Sequence, residues 1–392
     1  MAGVRLERGQ RRAVALVIVV TQLVVAVVTG VVISVAYGKL DKNFITGDPI
    51  DHKTKKHHHI GGDPLDILVM GSDSRAGAGN DIDGQTDIGE RSDTTILVHV
   101  SADRKTVYGV SLPRDAMVRR PDCEGPDGET VPGAELDMFN AAYSLAGATC
   151  TVAQVEELTG IYIDHYVTLD FNGFKDMVEA VHGVTVCIPE AVDDSAHGIT
   201  FEAGTQELDG QQALDYVRER SSTPNADIGR MKRQQAFMAS MINKVVSAGT
   251  LTRPSRVYNF LKAATGSIVT DPGLSSLSGL VHLAWEFRRT DLDNISFITV
   301  PFEEYPPDPN RLQWSASAKG LWKVILEDQP LPKKYREEAI SADKPPGTPA
   351  GSGAASGSDP GTTSGAPASP PTTPDATPSG GEQESDANGL CA

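Results

Sequence analysis

Asp66–Arg75 reads DILVMGSDSR: an unbroken apolar run, Ile67–Met70, closed by Gly71 and followed by Ser72-Asp73-Ser74-Arg75. A short apolar run bounded by turn residues has the signature of a buried strand. Its polar continuation falls at the carboxyl end, where open α/β sheets bind ligands. Ser and Asp after a strand are also ordinary turn residues, so the reading depends on what surrounds this stretch. The same strand pattern recurs at Thr94–Val100, Thr106–Leu112, Tyr162–Leu169, Val184–Ile188 and Ile295–Val300. Helical periodicity covers Asn140–Ala146, Thr151–Leu158, Phe171–His182, Gly229–Ser247, Ser255–Ala264 and Leu274–Arg288. Asp170 is placed to cap the third of these helices and Gly183 to end it. Strands bracketed by amphipathic helices predict an α/β fold, a layered sheet with helices on both faces.

Outside this middle the chain changes character. Residues 1–12 carry Arg5, Arg8, Arg11 and Arg12, and Ala13–Tyr37 contains no charged residue. A helix of about 20 apolar residues spans a bilayer, and flanking positive charge stays cytoplasmic. The expectation is a single-pass anchor at 13–37, with a short cytoplasmic end and everything after it extracytoplasmic. Ser34-Val35-Ala36 resembles a signal-peptide cleavage site, but the apolar run exceeds the roughly 7–15 residues usual there. Residues 38–62 read as a polar stalk; its His52 and His57–His59 suggest a flexible spacer rather than a metal site. Residues 63–340 form the domain. From 341 to 392 the chain is rich in Pro, Gly, Ser and Thr, too poor in large apolar groups to offset ordering, and is expected to be disordered.

The formal net charge is -17, which argues against sequence-independent nucleic-acid binding. There is no zinc-finger spacing and no Walker-type loop. Against that acidic background Leu208–Phe237, LDGQQALDYVRERSSTPNADIGRMKRQQAF, gathers Arg218, Arg220, Arg230, Lys232 and Arg233. If the first part is extended, Arg218 and Arg220 leave one strand face. Asp227, Arg230 and Gln234 form one stripe of a helix, beside the apolar stripe Met231, Met238, Ile242 and Val245. Convergent guanidiniums suit a diphosphate; the other reading is that they pair with the chain's own carboxylates. Two further segments carry polar residues at strand ends: Arg91-Ser92-Asp93-Thr94, and GVSLPRD at Gly109–Asp115.

DILVMGSDSR, RSDTTILV, VSLPRD, FNAAYSLAG, YIDHYVTLDFNGF and LDGQQALDYVRER followed by DIGRMKRQQ occur in that order. The combination resembles the LytR-CpsA-Psr family of cell-envelope phosphotransferases over roughly residues 63–330. The resemblance implies a mixed central sheet in an αβα arrangement. It implies transfer of a glycopolymer from a polyprenyl diphosphate carrier to a peptidoglycan hydroxyl through a phosphodiester link, at the cell membrane. Asp73 and Asp93 match the family's Mg²⁺ ligands, with Mn²⁺ as a substitute. Arg75, Arg91, Arg114, Arg218, Arg220 and Arg230 match its diphosphate-binding arginines, with Gln234 beside them and Asp227 orienting Arg230. Arg114, Arg218 and Arg220 would stabilise the reacting phosphorus, and Asp115 or Asp93 could serve as general base. The lipid tail would occupy an apolar tunnel between sheet and helices. Two rival readings use the same site: a polyprenyl diphosphate phosphatase, or a non-catalytic envelope protein that binds or senses lipid-linked glycan. Export permits Cys123 and Cys150 to pair; Cys187 reads as a buried small apolar residue and Cys391 as free or intermolecular.

Overall fold

The computed structural model describes residues 38–56, 58–59, 62–72, 92–195, 198–219, 226–247, 254–347 and 390–391. The apolar run 13–37 lies outside the described residues, as do Asp73, Arg75, Arg91 and Arg220. Among the described residues no helix is long and apolar enough to cross a membrane.

One sheet organises the domain. Its strands are β1 (Ile45–Thr46), β2 (Leu65–Ser72), β3 (Ser92–Val100), β4 (Val107–Leu112), β5 (His165–Leu169), β6 (Ile268–Thr270), β7 (Ile295–Thr299) and β8 (Ile340–Ser341). They lie in the order β1-β6-β5-β2-β3-β4-β7-β8. β3 runs antiparallel to β2 and β4, while β2 is parallel to β5 and β4 to β7, so the sheet is mixed. The ends of β2, β4 and β7 and the start of β3 therefore share one end of the sheet. The helices are α1 (Ala141–Thr159), α2 (Phe171–Ala180), α3 (Gly210–Arg218), α4 (Ala226–Ser247), α5 (Pro254–Ser267), α6 (Leu277–Glu286) and α7 (Ala318–Leu326).

The period-2 pleat divides the apolar side chains between two faces. Leu68, Met70, Leu97, Val110, Leu112 and Ile298 pack with Val152 and Val155 of α1 and Leu321, Trp322 and Ile325 of α7. Val100, Val107 and Phe297 pack on the other side with Ala236 and Ala239 of α4. Helices thus cover both faces. Gly109 is required on the α4 side, because a Cβ there would stand 2.5 Å from the Phe297 ring. α1 contains the two helices expected from its sequence, separated at Ala146 and Gly147, whose backbones are not helical. Asp170 caps α2 by accepting from the Gly173 amide at 2.7 Å, and the chain leaves α2 through left-handed His182 and Gly183. Val184–Ile188 does not join the main sheet; it pairs with Gly204–Leu208 in a separate ribbon whose apolar face meets α2, α3 and α4.

Three expectations are corrected. The segment before Arg218 is a helix, not a strand end. Asp209 and Gln212 form a reciprocal capping box that starts α3, and Ala213, Leu214 and Tyr216 are its buried side. The segment read as a flexible spacer is bonded to the domain. β1 extends the sheet through β6, and the Tyr166 hydroxyl donates to the Asp48 carbonyl at 2.8 Å. Buried Glu156 supplies the reason, since its carboxylate needs partners: it bonds His52 Nδ1 at 2.8 Å and accepts from the Lys53 amide at 2.5 Å. His58 and His59 engage Asp63, and among the described residues no three ligand-type side chains gather for a metal.

The third correction concerns the tail. β8 and Ala342 belong to the fold, and Asn243 donates to the Ala342 carbonyl at 2.9 Å. Leu390 returns to bury itself beside Ala236, Ala239 and Phe297. Cys391 forms a disulfide with Cys187, so neither is free; Cys123 and Cys150 form a second. Residues 348–389 lie outside the described residues.

At the sheet end remote from β4's carboxyl terminus, buried His99 sits between two carboxylates, with Asp66 at 2.8 Å and Asp328 at 3.2 Å. Burial opposes its charged form. The Asp66 carboxylate and the hydrogen bonds to Asp328 and Asp66 outweigh that cost and lift its pKa from 6.5 to about 9. A pKa raised on folding adds stability that is complete below the unfolded value and disappears as pH rises through the folded one. Denaturant unfolding should therefore show a loss on the order of 1–3 kcal/mol between neutral pH and pH ~9.5, and His99→Gln should flatten that slope. In the chain-entropy model, loops of 27 and 204 residues are worth about 3.5 and about 5 kcal/mol when closed. Calorimetry should accordingly find Cys187→Ala/Cys391→Ala at least as destabilised as Cys123→Ala/Cys150→Ala.

Candidate active site

The site forms where β4 ends and β3 begins. Pro113 has no amide to continue the ladder, and the chain turns there, with the Ala116 amide bonding the Pro113 carbonyl at 3.2 Å. The turn is held from outside: Asn140 donates to the Arg114 carbonyl at 3.1 Å and Phe139 to the Ala116 carbonyl at 2.8 Å. Arg114 and Asp115 thus leave a fixed backbone. Asp93 comes from the second residue of β3. Asp227, Arg230, Met231 and Gln234 come from the first turns of α4, and all of these line one cleft with Thr94, Thr95, Ser111, Leu112 and Leu312.

Arg114 is the hub. Its Nη1 donates to Asp93 Oδ1 at 2.5 Å, its Nε to Asp115 Oδ2 at 2.9 Å and its Nη2 to Asp227 Oδ1 at 3.1 Å. Burial alone would disfavour the Arg114 cation; Asp93, Asp115 and Asp227 overcome this and push its pKa above the usual arginine value. Buried Arg230 meets Asp227 at 3.2 Å, its i, i+3 neighbour, and stands 4.0 Å from Asp93. Asp93 therefore lies between two guanidiniums, both of which pair with the chain's own carboxylates.

Several residues that matter here escape a sequence reading. Arg311, which lies in the loop between the short strands Phe302–Glu304 and Leu312–Trp314, donates to Asp115 Oδ1 at 3.2 Å. The Leu312 amide bonds the Asp115 carbonyl at 3.3 Å, so this hairpin forms one wall of the cleft. Buried Gln235 donates to Ser111 Oγ and Thr299 Oγ1, both at 2.9 Å, tying α4 to the ends of β4 and β7. Buried Arg233 pairs with buried Glu219 at 2.9 Å, fixing the residue between Arg218 and Arg220. Arg233 and Gln235 lie within a quoted motif; nothing near Arg311 in sequence signals its role.

The expected site residues divide accordingly. Asp93, Arg114, Asp115, Asp227, Arg230 and Gln234 share the cleft. Gln234 gives an amide proton to the Val217 carbonyl at 3.2 Å, which brings the end of α3 alongside. Arg218, the last residue of α3, has its guanidinium 5.1 Å from the centre of the Phe171 ring. Asp73, Arg75, Arg91 and Arg220 are outside the described residues. The cleft opens to solvent and has no room for a long lipid tail. An acidic, oxygen-only donor set fits Mg²⁺, which takes one or two carboxylates and completes its shell with phosphate and water. Asp93 is the described carboxylate that fits, and it would have to release Arg114 to bind.

The sequence model of the LytR_cpsA_psr family matches residues 34–324. A cell wall biosynthesis protein LcpA of Corynebacterium glutamicum is 34% identical over 260 residues, 60% of this chain and 49% of that protein. The polyisoprenyl-teichoic acid–peptidoglycan teichoic acid transferase TagU of Enterococcus faecalis is 33% identical over 227 residues, 58% of this chain and 66% of that one. The chain spans about half the length of the curated relatives LcpA and LcpB of Corynebacterium glutamicum. The solved LytR-Csp2A-Psr enzyme from Actinomyces oris superposes with a TM-score of 0.52 at 22% identity, over 72% of this chain and 96% of that one. Bacillus subtilis TagV gives a TM-score of 0.50 at 26% identity, over 69% and 100%. With its strand-end motifs assembled on a mixed sheet of the same fold and the family model matching most of its length, the chain belongs to the LytR-CpsA-Psr family.

Proposed function

We propose that this protein is a membrane-anchored phosphotransferase that moves a glycopolymer from a polyprenyl diphosphate carrier onto a peptidoglycan hydroxyl. The acceptor oxygen attacks the phosphorus nearest the glycan, and a new P–O bond forms. The bond to the bridging oxygen breaks, polyprenyl phosphate leaves, and the hydroxyl proton passes to a base. Asp115, held between Arg114 and Arg311, is the candidate for that base. Relatives named as polyisoprenyl-teichoic acid–peptidoglycan teichoic acid transferases support the reading, and so does a solved structure of TagT bound to LIIa-WTA.

The observation that carries it is the charge balance around Arg114. Among the described residues Asp93, Asp115, Asp227 and Asp308 face Arg114, Arg230 and Arg311, four carboxylates against three guanidiniums. A diphosphate diester would add two negative charges to this partly buried set. Asp93, with Asp73 as the second expected ligand, would hold a divalent cation, which would offset that added charge. With Asp93 so engaged, Arg114 and Arg230 would be left to phosphate oxygens. Opposite charges about 4 Å apart are worth roughly 4 kcal/mol at an effective dielectric near 20, so metal and diphosphate should enter together. Such positioning and charge stabilisation are most of what a protein can offer phosphoryl chemistry. The tail of the carrier needs more room than the cleft contains, and the apolar contacts between sheet and helices are where it would open a path.

The test uses the full chain in detergent with a polyprenyl diphosphate glycan and peptidoglycan fragments. Transfer should require Mg²⁺ or Mn²⁺, and Arg114→Ala should lose about 10²- to 10³-fold in rate. Wild-type activity in Arg114→Ala, or full transfer in chelator, would refute the assignment. Free glycan phosphate formed at an undiminished rate without acceptor would make the protein a phosphatase, and intact substrate a binder. Arg311→Gln should lower kcat about tenfold, roughly 1.4 kcal/mol of barrier, with KM for the carrier little changed. A rise in KM at constant kcat would instead place Arg311 in carrier binding.

A further inference from the structure

The helix α6 (Leu277–Glu286, LSGLVHLAWE) is more apolar than its surroundings require. Leu277 is its one buried residue. Val281 and Trp285, one turn apart on the same stripe, are 56% and 60% exposed. Arg288 follows with its guanidinium 4.1 Å from the centre of the Trp285 ring and its Nη1 bonded to the Trp285 carbonyl at 2.6 Å; Arg289 is exposed beside it. An amphipathic helix normally turns its apolar stripe inward, so an outward stripe of this kind marks a surface that something else covers.

The chain itself indicates what that is. The Leu277 amide at the start of α6 donates to Asp41 Oδ1 at 3.0 Å. Leu40 is buried, and Tyr37, the last residue of the uncharged run 13–37, precedes Asp41 by only four positions. If that run crosses the bilayer, α6 begins within one or two helical turns of the lipid headgroups. Trp at the interface and Arg reaching toward phosphates are the side chains that boundary favours. The pair Arg288 and Arg289 also supplies local positive charge on a chain of net charge -17. We infer that α6 docks on the outer face of the membrane, with Val281 and Trp285 in the interfacial layer and Arg288 and Arg289 at anionic headgroups. This rests on the anchor in the proposed function and extends it from a tether to an orientation. Glu286 pairs with Arg104, in the turn between β3 and β4. That turn is at the end of β4 opposite Arg114. The docked face and the cleft therefore lie toward opposite ends of six-residue β4.

The experiment reconstitutes the full chain into phosphatidylcholine vesicles containing phosphatidylglycerol, with and without acyl-chain bromination. Flotation reports anchoring; tryptophan emission reports docking. The chain has three tryptophans, at 285, 314 and 322. The wild type should float and lose emission in brominated vesicles. Trp285→Phe should abolish most of that loss, while Trp314→Phe should keep it. Val281→Glu, with Trp285 intact, should float yet lose the quenching. Flotation without bromine quenching, or equal quenching in Trp285→Phe, would overturn the docking face and leave the anchor standing. Failure to float would overturn both. A detergent-stable dimer dissociated by Val281→Glu would assign the face to a second copy of the chain and overturn the membrane contact.

Discussion

Arg114 takes hydrogen bonds to three carboxylates that lie far apart in sequence: its neighbour Asp115, Asp93 at the start of β3, and Asp227 at the head of α4. A partly buried guanidinium is costly unless its donors are met, so these elements have to arrive together for the cation to be tolerated. The rest of the architecture makes that arrival possible. The antiparallel register of β3 with β4 brings Asp93 level with the turn after Leu112. Gln235, bonded to Ser111 and Thr299, sets how far α4 slides along the sheet and hence where Asp227 and Arg230 sit.

The two ends of the sheet solve opposite electrostatic problems. At the cleft, charges are paired but partly open, an arrangement that ligands can exchange into. At the other end His99 is enclosed between Asp66 and Asp328, and Glu156 is enclosed by His52 and the Lys53 amide. That end is closed and structural. It also ties the segment following the apolar run to the domain, through β1, Tyr166 and Glu156.

Much of this was legible in the sequence where the signal is local. The strands show because buried strands read as apolar runs, and α2 shows because Asp170 and Gly183 mark its ends. α3 is less legible, because the i, i+2 spacing of Arg218 and Arg220 imitates strand periodicity. Glu219, at the helix end, has an extended backbone and turns its side chain inward to Arg233. The capping box at Asp209 and Gln212 was the better signal. The cluster around Asp93 and Arg114 was reachable only through resemblance, since no spacing rule joins residues more than a hundred positions apart. Arg311 and the pairing of Cys187 with Cys391 were invisible for the same reason: each depends on a chain crossing that only the tertiary fold defines.

That last crossing alters what a cut in the tail can do. Residues 348–389 run between two fixed points, the Asn243-bound residues Ala342 and Asp343 on one side and the bridged Cys391 on the other. A protease that severs this stretch opens a ring instead of shedding a piece. The terminal peptide with Leu390 stays stitched to the domain until a reductant frees it, so a nicked molecule would migrate as one species without thiol and as two with it.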